Sequence, residues 1–568
     1  MIKKTVFFLI IAACGFFLHT KGINWGIPDR ERISLVFGDV ETVHDMVEPM
    51  LSTHLEIRQM QVYYGATYAS DYDTSRKMAV IVNNKKKNVS LEIINSMRSY
   101  LLRTYGADEQ AVLASLSKMN PAKLDFNPHF FEYGGTYLYP MASFLKLCEL
   151  CGLVSLKNDM RSYFFRPEEM GKLYTFSRLF GVLLFIPSAF VFFFLFLRIT
   201  RDNKHAFVLT LLFVSVPGFT IWSHYLKPYT SGMLWVVCSL YFIFKYIDER
   251  ANSSLVLSSI FAGFSMGSLL SYGYVFFSVV FSVIVTCQKP KSLLKNLLIC
   301  FLCFIFSYLI TNPYVILSFK EFIKEISYIQ SYWKGSASLD NLGYFLLISL
   351  RYGLGTGIWT IFIFYLFISF GMPDKKVLVV LFSLLPALIY FGVSTGRWVH
   401  YSFIIYPYIF LIIAIGFSKI NKNFSFLTAA IAFIWTFIFS FSYINLFSGE
   451  NTRTLAGRWI NENIPEKTGI GLLEAPSPWR IPPFQYLKYN MFIEGPEYNR
   501  AQYYVVSQYQ WLRGNSLEKM EERFSKYELL KEFRKDAAFL KWKFIQSGNI
   551  PYDWCHPNPV ILIWKKRT

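Results

Sequence analysis

The acidic pair Asp108-Glu109 stands just ahead of a helix-like run, Ala111 to Met119, and is followed by Asp125-Phe126-Asn127-Pro128-His129-Phe130-Phe131-Glu132-Tyr133. Carboxylates and an imidazole in one short stretch are the groups that take and give protons in general acid–base work. Further polar clusters, Ser223-His224-Tyr225-Leu226-Lys227-Pro228 and Gly396-Arg397-Trp398, stand at the ends of apolar runs. The runs themselves are nearly free of Asp and Glu. A transporter places ionisable residues mid-helix along a path. Here they gather in residues 20–172 and in short loops, where a site at a membrane surface needs them.

The elements that must position these residues are written for lipid. Hydrophobic residues make up 53% of the 568, aromatic residues 19% and charged residues only 17%. That composition excludes a soluble enzyme, a disordered chain and a disulfide-stapled secreted domain. Apolar runs long enough to cross about 30 Å of hydrocarbon fall at 173–197, 206–222, 229–246, 254–270, 272–287, 293–310, 354–371, 377–393, 401–417 and 425–447. Basic loops at Arg198/Arg201/Lys204, Lys245/Arg250, Lys289/Lys291/Lys295, Lys375/Lys376 and Lys419/Lys422 are every second connection, as the positive-inside rule demands. The net charge of +19 therefore reads as orientation and contact with anionic lipid, with no nucleic-acid partner.

The amino-terminal Lys3-Lys4 with the apolar stretch to Leu18 reads as a retained first helix, residues 1–19, entering with its lysines inside. The expected fold is a polytopic α-helical membrane protein with about eleven transmembrane helices, amino terminus inside and carboxyl terminus outside. Its parts are a large external loop (20–172), a multi-helix membrane domain (173–447) and a small external α/β domain (448–568). Tyr137 to Val154 is expected to lie along the interface, with Phe144, Leu147, Cys148 and Cys151 on one face. Inserting Lys146 would cost about 2.5 to 3.5 kcal/mol. Leu517 to Phe533 reads as an amphipathic run and Val560 to Trp564 as a strand. Neither Cys148/Cys151 nor Cys300/Cys303 has the second pair or histidines of a zinc site.

The stretch from Asp108 to Tyr133 resembles the first external loop of C-type glycosyltransferases, the superfamily of the protein O-mannosyltransferases and the lipid A aminoarabinose transferase. Ser177-Arg178-Leu179, Ser223 to Pro228, Thr311-Asn312-Pro313-Tyr314, Gly396-Arg397-Trp398, Arg453 and Ala456-Gly457-Arg458-Trp459-Ile460 follow in family order. Two features depart from the pattern. Gly106-Ala107 replaces the usual His-Pro before the acidic pair, and an insertion, about Asp45 to Leu101, separates that pair from the first helix. The insertion reads as a lid, a partner surface, or neither. Asp39-Val40-Glu41 competes for the catalytic assignment, and the spacing to Asn127-Pro128-His129 favours Asp108.

The resemblance implies a C-type fold in a bacterial inner membrane with its site facing outward. It implies transfer of a sugar from a polyprenyl phosphate to an acceptor hydroxyl on a protein, a lipid or a glycan, with inversion. Asp108 would be the general base, worth ~10²- to 10⁴-fold. Glu109 would orient Asp108 or the acceptor, or else be an exposed helix-start carboxylate. Arg397, Lys227 and His224 would meet the donor phosphate, while His129 and Tyr133 would contact substrate. Some relatives use a divalent ion and others do not; no compact ligand cluster decides between them. Two rival readings are a lipid or glycan transporter without catalysis and a noncatalytic membrane assembly protein.

Overall fold

The computed structural model describes residues 2–60, 76–333, 338–394, 398–493, 500–512, 517–545 and 550–567. Every apolar run picked out above falls on a helix. Among the described residues, five helical stretches are long and apolar enough to cross a membrane: Pro167–Thr200, Pro290–Thr311, Lys375–Val393, Val399–Lys419 and Lys422–Asn463. The pair Leu339–Leu354 and Thr356–Gly371, bent by 115°, has that length and apolarity jointly, as a broken span or a re-entrant loop. Gly355, at φ +83°, supplies the left-handed residue that this bend needs. Several of the eleven expected crossings fall instead on shorter helices, such as Asn203–Val214, which stops before Pro217 because proline has no N–H to continue the ladder. The carbonyls freed at that break need donors, and His19 of the Ile2–Thr20 helix places Nε2 2.9 Å from Val214 O.

Pro290–Thr311 shows what surrounds the bundle. Leu298, Phe301, Leu302, Phe306 and Ile310 are more than half exposed and recur at helical spacing, a continuous apolar stripe that suits acyl chains. The helices are those of a multi-pass membrane protein.

Gly135–Leu150 differs from the expected interfacial helix in the face it buries. Leu138, Met141, Leu145 and Cys148 are buried, whereas Leu147 is 57% exposed and Cys151 is exposed. Lys146 and Glu149 pair with one another at 2.5 Å. The inner face follows Leu138, Met141 and Leu145 at i, i+3, i+7, a register that Leu147 cannot share.

Outside the bundle, residues 20–172 carry an antiparallel hairpin of β1 (Lys77–Val82) and β2 (Lys85–Ser90) followed by the helix Leu91–Leu102. The carboxyl-terminal part forms a mixed five-stranded sheet from β3 (Gly469–Leu472), β4 (Asn490–Ile493), β5 (Tyr503–Ser507), β6 (Tyr527–Phe533) and a last strand, Ile561–Lys566. β3 runs parallel to β4 and β5, and the last strand lies antiparallel between β5 and β6. The run expected to be amphipathic from Leu517 divides into a short helix, Leu517–Arg523, and β6.

These two parts share a core. Ile94, Met97, Tyr100 and Leu101 pack in one cluster with Ile460, Ile481, Phe484 and Ile563. Tyr100 donates to Ile481 O at 2.9 Å and meets the Tyr486 hydroxyl at 2.8 Å; Ser96 Oγ donates to Pro476 O at 2.6 Å. The described part of the insertion is therefore a seam between the two ends of the chain.

Candidate active site

Asp108 occupies the residue before the Glu109–Lys118 helix with φ 62°, the left-handed region that non-glycine residues adopt at a cost, Asp less than most. Its side chain makes no capping bond to that helix. Instead Oδ2 lies 3.6 Å from Lys227 Nζ, with the Asp108 side chain 74% exposed and that of Lys227 only 8%. An accessible carboxylate thus stands over a recessed ammonium. A lysine has three donors, so this long contact leaves protons for a second anion.

Glu132 and Tyr133 complete the recess. Lys227 Nζ lies 5.7 Å from the Tyr133 ring centre, a cation–π distance. Tyr133 is also hydrogen-bonded to Tyr229. Burial pulls the Lys227 ammonium down, but Asp108, Tyr229, Glu132 and Glu109 around it outweigh this and hold it above the ordinary lysine range. Glu132 is exposed to solvent; crowding by its neighbours and the Asp108 charge push its carboxyl up against the pull of Lys227. An aromatic pocket of Phe130, Phe131, Tyr133, Tyr139, Tyr308 and Tyr314 adjoins it.

Two features fix the Asn127–Gly135 loop. A Cβ on Gly134 would strike Gly267 O, and one on Gly135 would strike Thr311 O, so only glycines let the turn nest there. Asn312 Oδ1 accepts from Gly135 N at 2.7 Å, which gives the Thr311-Asn312 motif a structural task. From the other side comes the Phe319–Trp333 helix. Glu321 Oε2 meets His129 Nδ1 at 2.8 Å, and Glu325 Oε1 accepts from both Phe131 N and Glu132 N at 2.9 Å. Burial raises the Glu325 carboxyl to about 7, although the two backbone N–H groups and Lys118 oppose the shift.

The other sequence candidates are placed differently. Glu109 is not an exposed helix-start carboxylate: its side chain is 0% exposed, Arg178 Nε and Nη2 lie 2.9 and 2.7 Å from its two oxygens, and Leu226 N and Thr104 Oγ1 also donate to it. Its acceptor capacity goes to holding the Asp108 loop, the Leu226-Lys227 turn and the Pro167–Thr200 helix together. His224 is buried with its ring nitrogens at 2.6 Å from Thr220 O and 2.9 Å from Lys21 O, stacked on Phe447 at 4.3 Å. Those contacts tie helix ends together and turn the ring away from Lys227. His129 is engaged by Glu321. Arg397 lies outside the described residues. Asp39 is exposed and caps the Val40–Met60 helix, its Oδ1 accepting from Thr42 N at 2.7 Å. Arg453 is fully buried and donates to carbonyls of Trp479 and His556, so its place in the motif series is structural.

Sequence reasoning missed Glu132, Glu321 and Glu325 as a group. Glu321 and Glu325 are spaced i, i+4 on a short helix, a pattern that predicts one shared face but not what that face meets. For a divalent ion the donor set does not fit. Asp108 and Glu132 face an ammonium, and among the described residues no three His, Cys, Asp or Glu side chains gather to hold a metal.

No protein-family model matches the sequence, and no curated protein matches it. Among solved structures the chain is similar to ArnT from Cupriavidus metallidurans bound to undecaprenyl phosphate, at 12% identity and TM-score 0.45, over 82% of this chain and 95% of that one. It is also similar to the Archaeoglobus fulgidus oligosaccharyltransferase AglB in complex with an inhibitory peptide and a dolichol-phosphate, at 10% identity and TM-score 0.38, over 82% and 70%. The same organism's oligosaccharyltransferase in complex with Zn and sulfate matches at 12% identity and TM-score 0.39, over 89% and 74%.

Proposed function

We propose that this chain is an integral-membrane glycosyltransferase that moves a sugar from a polyprenyl-phosphate donor to an acceptor hydroxyl. The observation that carries the reading is the pairing of Asp108 with Lys227. A solvent-accessible carboxylate and a recessed ammonium stand together beside an aromatic pocket, outside helices that span lipid. Asp108 takes the proton of the acceptor hydroxyl as that oxygen attacks the anomeric carbon. The bond from that carbon to the phosphate oxygen breaks, and Lys227 stabilises the charge that the departing phosphate gains. One displacement inverts the anomeric centre. Glu109 acts by position, holding the Asp108 loop through Arg178. The site faces the periplasm or exterior of a bacterial inner membrane, with protein, lipid and glycan all open as acceptors.

Membranes carrying the chain, incubated with radiolabelled polyprenyl-phosphate sugars, test this. Label moving to an acceptor in the wild type, and failing to move in Asp108→Asn, is the expected result. Label crossing the bilayer while still attached to its lipid would replace the enzyme with a transporter.

A further inference from the structure

His400 and Asp553 lie 153 residues apart in sequence yet meet at the edge of this recess. His400 begins the apolar stretch Val399–Lys419 and is 8% exposed; Asp553 belongs to the carboxyl-terminal part and is 1% exposed. Asp553 Oδ2 accepts from Val399 N at 2.9 Å and stands 3.5 Å from His400 Nδ1. The imidazole is boxed by rings, with centres 4.3 Å away at Trp222, 4.5 Å at Tyr229 and 4.3 Å at Tyr401. Tyr229 is the same residue that hydrogen-bonds Tyr133 beside Lys227. The charges of Lys227 and Asp108 both reach His400. His400 Nδ1 makes no closer polar contact among the described residues, and Trp222 leans on the Asp553 carboxyl.

A buried carboxylate beside one nitrogen of a histidine fixes which nitrogen carries the proton and which way the ring faces. With Nδ1 turned to Asp553, Nε2 is the nitrogen left for a ligand. Resting on the glycosyltransferase reading above, we propose that His400 hydrogen-bonds the donor phosphate alongside Lys227, and that Asp553 is the positioning residue that holds it there. The carboxyl-terminal part then contributes to the donor side of the site. Burial raises the Asp553 carboxyl to about 7 against the backbone N–H groups that lower it, so the charge that orients His400 is itself sensitive near neutrality. Among the described residues, the charged or titratable groups facing His400 besides Asp553 are Lys227, Asp108, Tyr229, Tyr401 and His556.

The test measures binding of undecaprenyl phosphate to the purified full-length chain from about pH 5.5 to 8, in wild type, His400→Gln, Asp553→Asn, the double variant and Lys227→Met. Asn at 553, with its oxygen in the place of Oδ2, still accepts from Val399 N and faces Nδ1 but carries no charge to orient the imidazole. His400→Gln should weaken binding about ten- to a hundredfold, the scale of one hydrogen bond to a charged group. Asp553→Asn should lose as much with an unchanged unfolding temperature, the double variant should be no worse than either, and all three should lose the same pH-dependent component. If Asp553→Asn fails to fold, His400→Gln decides, since it leaves the carboxyl-terminal part intact. Binding lost in Lys227→Met but equal to wild type, with the wild-type pH profile, in the other variants overturns this proposal alone. A wild-type chain that does not bind undecaprenyl phosphate overturns the donor reading, and the proposal with it.

Discussion

Arg178 grips both carboxylate oxygens of Glu109, at 2.9 and 2.7 Å, and neither side chain has any solvent exposure, while the adjacent Asp108 side chain is 74% exposed. One residue of the acidic pair is spent on structure, and the other stays open to solvent beside Lys227. Arg178 also donates to Ile23 O and Trp25 O, so the pair anchors the end of the first helix as well.

Removing one partner of such a pair leaves an uncompensated buried charge. Arg178→Met and Glu109→Gln should each destabilise the chain by roughly 3 to 5 kcal/mol, and the joint replacement by less than the sum. Denaturant unfolding in micelles measures this. Additive losses would mean that the two side chains do not act as a pair.

Asp108→Asn keeps size and hydrogen-bonding capacity but cannot accept a proton. Sugar transfer should fall at least about a hundredfold with donor binding intact. Asp39→Asn should do much less, because asparagine caps a helix as well as aspartate does. If Asp39→Asn is the variant that stops transfer, the base lies in the earlier loop.

Lys227→Met should weaken donor binding by about 1.5 to 3 kcal/mol, the value of a hydrogen bond to a charged group. Arg397→Ala is expected to weaken it on the same scale, with Arg397→Lys recovering only part because the planar fork is lost. Equilibrium binding of a polyprenyl phosphate reads both. Unchanged affinity in a folded Lys227→Met variant would remove that residue from the phosphate site.

Glu325 makes the hold of the Phe319–Trp333 helix on the His129 loop sensitive to pH. Its carboxyl sits at about 7, against 4.5 for an ordinary glutamate. Between those values the folded chain binds more proton than the unfolded one, so docking is most stable below about pH 4.5 and weakens as pH rises through 7. Amide exchange in residues 128–133, corrected for intrinsic rates, should therefore be slower at about pH 5.5 than at about 7.5. Glu325→Gln should remove that difference. Slower exchange at the higher pH would reverse the assignment.

For topology, single cysteines in a chain whose eight native cysteines are replaced report sidedness. Exposed positions 123, 340 and 519 should label from outside, and 204, 291 and 422 only after permeabilisation. Outside labelling at 291 would overturn the orientation.

The helical architecture was legible because a run of apolar residues without charges has few alternatives in lipid. The site was legible only in part. Asp108 and Lys227 stand beside short motifs, and their proximity at 3.6 Å was within reach of the expectation that both lie at helix ends on one side. Asp108 and Glu109, adjacent and of like charge, look interchangeable in sequence, and what separates them is Arg178, 69 residues away. His224 looked like a phosphate contact because it shares a motif with Lys227, yet the tight turn points the two side chains in different directions. The partners of His129 come from 192 residues on, and no local pattern encodes such a meeting.

The seam at Tyr100 sets a timetable for the chain's own manufacture. Tyr100 closes on Ile481, 381 residues downstream. At ~5 to 20 residues per second the ribosome needs roughly 20 to 75 seconds to supply that partner. Through that interval Met97, Tyr100 and Leu101 can pack only on the earlier part of their core, Val43, Met46 and Met50, and not on Ile460, Ile481, Phe484 and Ile563. The core of the first segment thus stays half-built until the tail arrives, and damage to the last hundred residues would leave the seam near the start open.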